Sequence, residues 1–148
     1  MTAFEYLDLP HPADDDTSAR AASLRSRAFV QARDRAGWVG LFTPDGVVQD
    51  PVGVSFLDET GLGHHGHEGI GAFWDNVIAA NPVRMDIISS HAGGNEVANY
   101  LTITTTFPDG SNVAGEMVAI YRVDEVGKVL SLRAFWEIDQ LRFTPAPA

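Results

Sequence analysis

Cysteine is absent from this chain of 148 residues, and its absence excludes several kinds of chemistry. Without cysteine the chain forms no disulfide, no thiolate nucleophile and no cysteine-ligated metal site. Basic residues are also scarce, since ten Lys and Arg stand against twenty Asp and Glu and give a formal net charge of −10. Nucleic acids and anionic membrane surfaces are bound by clustered basic residues. We therefore expect neither nucleic acid nor membrane as a partner.

Long apolar runs are lacking as well. No stretch approaches the roughly 18 residues that a membrane-spanning helix needs, although 45% of the residues are hydrophobic. This composition is typical of a soluble globular domain, and the length is sufficient for one domain with a real core. Residues 1–5 carry neither a basic region nor an apolar block, so no signal peptide is predicted and a cytoplasmic location is expected.

The predicted elements place helices in the first half of the chain and strands in the second. Helices are predicted at 17–35, 38–42 and 68–80, with a turn at 43–46 and a long loop at 54–66. Strands are predicted at 83–91, 97–107, 112–123 and 128–139. Helices followed by a run of antiparallel strands indicate an α+β fold, in which the helices cover one face of a curved sheet. The domain is predicted to span 17–140.

Both ends of the chain are predicted to lie outside this domain. Residues 1–16 have no periodicity and are predicted to form an N-terminal arm, with Phe4, Tyr6 and Leu7 as candidates to dock on the domain. Residues 141–148 are predicted to form a loose C-terminal tail.

Alternation along the predicted strands sorts their side chains onto two faces. One face is apolar, and its members on the last two strands include Met117, Ala119, Tyr121, Leu132, Ala134 and Trp136. Set against helices, such a concave apolar face would form a cone-shaped pocket. The other face is rich in threonine, and because such outer faces often serve as dimer surfaces we expect a homodimer.

The segment 48–53 places an acid at the end of a short apolar run. Asp50 follows Val48 and Gln49, and Pro51 stops any regular continuation. A carboxylate at such a strand end, among apolar neighbours, can be desolvated and positioned for proton transfer. Asp-Pro and Pro-x-Gly also start and close ordinary β-turns. On this segment alone the turn is the commoner interpretation, and both stay open.

Three histidines in one loop suggest a metal site as an alternative. His65 and His67 have a spacing that can bind one ion, and His64 and Glu68 lie beside them. The HExxH signature is missing, however, and histidines before a helix are commonly solvated or help to cap it. We therefore predict no metal site.

Several sequence blocks together carry a resemblance to a known family. They are Leu41-Phe42, segment 48–53, Gly66 with Ile70 and Phe73, Asn95-Glu96, Gly127-Lys128-Val129, and Ser131-Leu132-Arg133-Ala134. With these blocks the chain, from about residue 24 to 138, resembles the ketosteroid isomerases of the NTF2-like (SnoaL-like) superfamily. The resemblance implies a cone-shaped barrel, with N-terminal helices packed on a curved, mainly antiparallel sheet. It also implies an apolar pocket for a small hydrophobic ligand, and no cofactor.

The resemblance assigns roles to five of the residues. Asp50 matches the family's general base, which moves a proton next to the carbonyl group of a ketone. Trp136 falls where the family places an aromatic pocket wall. Phe73, Met117 and Ala119 would line the same cavity and bind the substrate.

The chain departs from the family in the groups that stabilise the developing enolate. The family uses a tyrosine and a protonated aspartic acid, and the corresponding positions hold Ser26 and Ala119. Trp74 stands in place of a tyrosine that supports the oxyanion donor, and Ser26, Trp74 and Trp136 are predicted to bind the substrate as well. Losing one oxyanion donor typically costs about a hundred- to a thousandfold in rate. Ser26 can donate directly or through a water, Tyr121 shares the face of Ala119, and alternation places Glu116 on the opposite face.

Three functions are compatible with these residues. The first is a steroid delta-isomerase-like enzyme that transfers a proton on a hydrophobic ketone, steroid-like or polyketide-like, with Asp50 as base. The second is a non-catalytic ligand-binding or dimerising module that kept the scaffold and its pocket. The third is a SnoaL-type cyclase, which also needs one acid/base residue in an apolar cone. The missing donors favour the binding module, whereas the retained Asp50 favours the enzymes.

Overall fold

The computed structural model describes residues 4–148. Its helices are α1 (Ala19–Ala32), α2 (Arg35–Gly40) and α3 (Gly66–Phe73), and α3 continues directly into a π-helical segment, Trp74–Ile78. Its strands are β1 (Phe42–Gln49), β2 (His64–His65), β3 (Val83–Gly93), β4 (Glu96–Thr106), β5 (Asn112–Val123), β6 (Val129–Phe135) and β7 (Arg142–Thr144). Within residues 4–148, no helix has both the length and the apolar character to cross a membrane.

The seven strands form one sheet in the order β2-β1-β6-β5-β4-β3, and β7 pairs with β5. Every pairing is antiparallel except that of β1 with β6, which is parallel. Helix α1 packs on β3, β4 and β5, while α3 packs on β1. The predicted α+β fold, with helices on one face of a curved and mainly antiparallel sheet, is confirmed.

Helix α1 lies close to the sheet because its buried face is made of small side chains. Ser18 caps its N-terminus by accepting a hydrogen bond from Ala21 N at 3.1 Å. Ala21 and Ala22 are 1% and 0% exposed. The close approach brings the middle of α1, including Ser26, against the concave face of β5.

Strand β1 differs from the prediction, which placed Phe42 in a helix and 43–46 in a turn. The structure has Phe42–Gln49 as a strand, with a register shift between Phe42 and Val47 along its parallel partner β6. The turn-forming residues Pro44 and Gly46 are accommodated by this irregularity. Local sequence could not indicate the strand, because its partner lies more than 80 residues further along the chain.

The predicted loose tail, 141–148, is also corrected in part. Arg142–Thr144 form β7 and pair with the start of β5. An ion pair of 2.8 Å between Arg142 and Glu116 joins the two strands, although Glu116, which alternation places on the face opposite Ala119, also contributes to the lining of the cavity that Ala119 lines. The predicted last strand is shorter than expected, since β6 ends at Phe135.

The described part of the N-terminal arm packs on the outside of the sheet; its first three residues lie outside the described part of the chain. Leu7 N donates to Ile87 O at 2.7 Å, and Tyr6 Oη lies 3.3 Å from Thr102 Oγ1. The ring of Phe4 meets Tyr100 edge to face at 6.2 Å. Thr102, expected on an open threonine-rich face, is therefore buried beneath the arm.

Candidate active site

A cavity of about 230 Å³ lies between the helices and the concave face of the sheet. Most of its lining is apolar, with Val30, Phe73, Ile78, Met85, Met117 and Leu132 among the contributors. The polar side chains that reach it are few and include Ser26, Asp50, Thr105 and Tyr121. An apolar cavity with a small number of converging polar groups is the usual form of a small-molecule site.

Asp50 stands at this cavity because of the pairing of β1 with β6. Gln49, the last residue of β1, pairs with Arg133, so that Asp50 emerges beside the end of β6. The Asp50–Pro51 peptide is cis, and Val52 N donates to Ala134 O at 2.9 Å, which ties the following turn to the sheet. The segment is thus both a turn and the carrier of a carboxylate at the cavity.

The Asp50 carboxylate has one hydrogen-bond partner within residues 4–148. Trp136 Nε1 donates to Asp50 Oδ1 at 2.6 Å. Burial raises the pKa of Asp50, while the Trp136 hydrogen bond and the charge of His64 act in the opposite direction. A carboxylate with a raised pKa is a stronger base than an exposed aspartate. The arrangement therefore suits proton abstraction from a bound molecule.

A second polar cluster lies deeper among the aromatic side chains. Trp38 Nε1 donates to Ser26 Oγ at 2.9 Å, and the hydroxyl oxygens of Ser26 and Tyr121 are 2.8 Å apart. All three residues are at most 3% exposed. Burial, together with the charge of Asp50, raises the pKa of Tyr121 to about 12, although the hydrogen bond with Ser26 acts in the opposite direction. Tyr121 is consequently a neutral phenol at neutral pH.

The structure brings most of the predicted site residues to one cavity. Those that line it with Asp50 are Ser26, Phe73, Met117, Ala119 and Trp136. Trp74 is the exception and is corrected: it is 4% exposed and packs in the core against Trp38, with ring centroids 5.5 Å apart. Trp38, which packs against Trp74, lines the cavity instead.

Further residues of the site have no clear signal in the sequence. Trp38 lies on a helix of six residues, too short for its periodicity to indicate which face it presents. Leu57 belongs to the loop after β1, and Leu141 to the segment that was predicted to be loose. Leu141 lies directly on Gly115, where an added Cβ would stand 2.6 Å from Leu141 Cδ2.

The three histidines of the loop have three separate environments. His65 Nε2 lies 2.7 Å from Leu62 O, and His67 Nε2 lies 2.8 Å from Phe42 O. The His64 ring packs against Phe73 at 4.9 Å, and its buried Nε2 has no hydrogen-bond partner within the described chain. Of these, only His64 affects Asp50 electrostatically.

Two comparisons of the sequence with known proteins give matches over most of the chain. The SnoaL-like domain model matches residues 24–132. A steroid delta-isomerase of Nocardioides simplex is 27% identical over 127 residues, covering 86% of this chain and 96% of that protein.

Solved structures agree with this. A Δ5-3-ketosteroid isomerase from Mycobacterium sp. is 36% identical with a TM-score of 0.80, covering 85% of this chain and 98% of that one. The Mycobacterium tuberculosis protein RV0760c, in complex with estradiol-17β-hemisuccinate, is 34% identical with a TM-score of 0.80, covering 86% of this chain and 100% of that one. By fold, by family model and by these relatives, the chain belongs to the SnoaL-like domain family and is a ketosteroid isomerase-like member of the NTF2-like superfamily.

Proposed function

We propose that the protein is a proton-transfer enzyme of the steroid delta-isomerase type that acts on a hydrophobic ketone, with Asp50 as general base. The observation that carries the proposal is a carboxylate whose pKa burial raises, held by Trp136 at the wall of an apolar cavity. The relatives that are named steroid isomerases, and the one in complex with an estradiol derivative, support a steroid-like ligand.

The proposed reaction needs no group beyond those of the chain and the substrate. Asp50 takes a proton from the carbon next to the carbonyl group, which gives a dienolate and a protonated carboxyl group. The same carboxyl group returns the proton to a carbon further along the conjugated system, so that the double bond moves and the base is regenerated. Trp136 engages Oδ1, and Oδ2, free of hydrogen bonds within residues 4–148, is available for the proton. The apolar walls limit exchange of that proton with water.

The direct test is incubation of the protein with a 3-keto-Δ5-steroid, followed by the ultraviolet absorbance of the conjugated enone product. Turnover above the uncatalysed rate supports the proposal. Absence of turnover, together with steroid-dependent thermal stabilisation, would favour the binding module instead. That second candidate is supported by Ser26 and Ala119, which replace the oxyanion donors of the family.

The pH dependence of the reaction follows from the environment of Asp50. The base must be ionised, so kcat/KM rises with pH through the pKa of Asp50, and burial moves this rise above the usual range of an aspartate. The charge of His64 lowers that pKa. We therefore expect His64→Gln to move the rise of kcat/KM to higher pH. The matched control is His65→Gln, an exposed neighbour that should leave the profile in place, and an unshifted profile in His64→Gln would contradict the assignment.

We also propose that the chain forms a homodimer through the outer face of the sheet. Tyr100, Val118 and Phe135 are direct cross-strand neighbours there, and Val118 and Phe135 are 37% and 40% exposed. Exposed apolar side chains that adjoin one another are typical of interaction surfaces.

Light scattering should give twice the 16.0 kDa of the chain, and Val118→Glu should shift the protein to the monomer because it buries a charge in the interface. Val126→Glu makes the same change at a side chain that is 65% exposed in a turn, and it should stay dimeric. A monomeric wild type would refute the dimer.

A further inference from the structure

The Trp38–Ser26–Tyr121 cluster has three polar hydrogens, one on the indole nitrogen and one on each hydroxyl group, but only two hydrogen bonds join its members. An indole N–H can only donate, whereas each hydroxyl group carries one hydrogen and can also accept. Ser26 Oγ must therefore accept from Trp38. The contact between Ser26 and Tyr121 uses one of the two hydroxyl hydrogens. Three hydrogens and two hydrogen bonds leave one hydroxyl hydrogen over.

No group of the described chain accepts this remaining hydrogen. A serine on a helix often donates to a backbone carbonyl one turn earlier, and Ser23 does so to Arg20 O at 2.7 Å. Ser26, on the same helix, makes no such bond within residues 4–148, and Tyr121 has no hydrogen-bond partner there except Ser26. Each of the two hydroxyl oxygens already has a hydrogen-bond partner, and the remaining hydrogen is available to an acceptor that comes from outside the chain.

The position of the cluster identifies the space from which that acceptor comes. Ser26, Trp38 and Tyr121 all line the apolar cavity that also holds Asp50. Tyr121 is two residues from Ala119 on the same face of β5, and both line the cavity. A ligand in this cavity can therefore contact both Asp50 and the hydroxyl groups of this cluster.

We propose that Tyr121 donates a hydrogen bond to the carbonyl oxygen of the bound ketone, with Ser26 and Trp38 as positioning residues behind it. Because a phenol is a more acidic donor than an alcohol, the Tyr121 hydroxyl group donates to the ligand oxygen. The Ser26 hydroxyl group then donates to Tyr121 Oη. The donation from Trp38 to Ser26 polarises this chain of hydrogen bonds in the same direction. The arrangement rests on the proposed function for its ligand class, and it supplies the oxyanion donor that Ser26 and Ala119 no longer provide in the manner of the family.

The test measures the hydrogen bond itself rather than turnover. A 3-keto-4-ene steroid absorbs at longer wavelength when its carbonyl oxygen accepts a strong hydrogen bond. We expect the wild type and Asp50→Asn to produce this shift on binding. Tyr121→Phe should lose the shift and bind the steroid about tenfold more weakly, as expected for one hydrogen bond. Tyr100→Phe removes a hydroxyl group from the outer face and should behave as wild type.

Ser26→Ala separates the two roles within the cluster. If Tyr121 donates to the ligand, Ser26→Ala should give a smaller absorbance shift of the bound steroid than wild type, because the phenol remains but no longer accepts a hydrogen bond from Ser26. A shift that survives Tyr121→Phe and disappears in Ser26→Ala would overturn the assignment of Tyr121. Should Tyr121→Phe fail to fold, the carbonyl stretching frequency of the steroid bound to wild type decides, since a frequency equal to that in a hydrocarbon solvent would overturn the proposal.

The spectral test of Tyr121 does not depend on whether Asp50 is a base. If Asp50→Asn turns over substrate like wild type, the proposed base is wrong while the spectral shift can still be present. If the wild type turns over substrate through Asp50 but shows no shift with the steroid, or does not bind it, the inference about Tyr121 is wrong.

Discussion

Replacement of Asp50 by asparagine is expected to lower kcat for a 3-keto-Δ5-steroid by about 10²–10⁴-fold, the range that a positioned general base contributes. Asparagine has nearly the same shape but cannot take up the proton, so KM should change much less than kcat. The matched control is Asp45→Asn, which makes the same chemical change at an exposed position on the same strand. Steady-state kinetics on the three proteins check the prediction, and equal kcat values for wild type and Asp50→Asn would remove Asp50 from the mechanism.

The same substitution also reports on the burial of the carboxylate. Because burial raises the folded-state pKa of Asp50, the folded protein holds this proton more tightly than the unfolded chain does. The stabilisation from that proton is present below the unfolded pKa of about 3.9 and is lost as the pH rises through the raised pKa. Asp50→Asn should therefore be at least as stable as wild type at neutral pH. A less stable variant at pH 7 would indicate that the ionised carboxylate is favourably held in the fold.

Trp38→Ala is expected to be the most destabilising single change at the site, with a loss of about 3–5 kcal/mol in the free energy of unfolding. The Trp38 side chain is 1% exposed, and its ring packs against Phe42 at 5.0 Å, Phe73 at 6.2 Å and Trp74 at 5.5 Å. Truncation would leave a cavity among these rings and remove the donor to Ser26. Urea denaturation followed by circular dichroism measures the effect.

Two variants distinguish packing from hydrogen bonding in this prediction. Trp38→Phe keeps an aromatic ring and loses the N–H, so we expect a smaller loss than for Trp38→Ala. Trp136→Ala removes an indole that is only partly buried and should likewise cost less. If Trp136→Ala and Trp38→Ala destabilised the protein equally, Trp38 would not have the central place in the core that its contacts indicate.

The parts of the fold that local pattern controls were the parts that the sequence predicted well. Alternation in the second half of the chain indicated β3, β4 and β5 and placed Met117, Ala119 and Tyr121 on one face. The pairing of β1 with β6 cannot be predicted from local pattern because Pro44 and Gly46 interrupt the alternation of the strand. The pairing of β7 with β5 cannot be predicted because three residues are too few for a pattern.

The candidate site shows the same division. The position of Asp50 at the end of an apolar run was readable, because a strand end followed by proline has a local signature. The contact of Ser26 with Tyr121 was not, since it joins α1 to β5 across 95 residues of sequence. Residue type alone also could not separate Trp38 from Trp74, because both are large buried aromatics and differ only in which one faces the cavity.

The contact of Leu141 with Gly115 gives the chain a way to vary what it accepts. These two residues form part of the cavity wall and touch neither Asp50 nor Tyr121 through any hydrogen bond. A larger side chain at position 115 with a smaller one at position 141 would change the shape of the cavity without altering the hydrogen bonds of Asp50 or Tyr121. In the proposed enzyme, the residues that set the size of the ligand and the residues that act on it therefore lie on different stretches of the polypeptide.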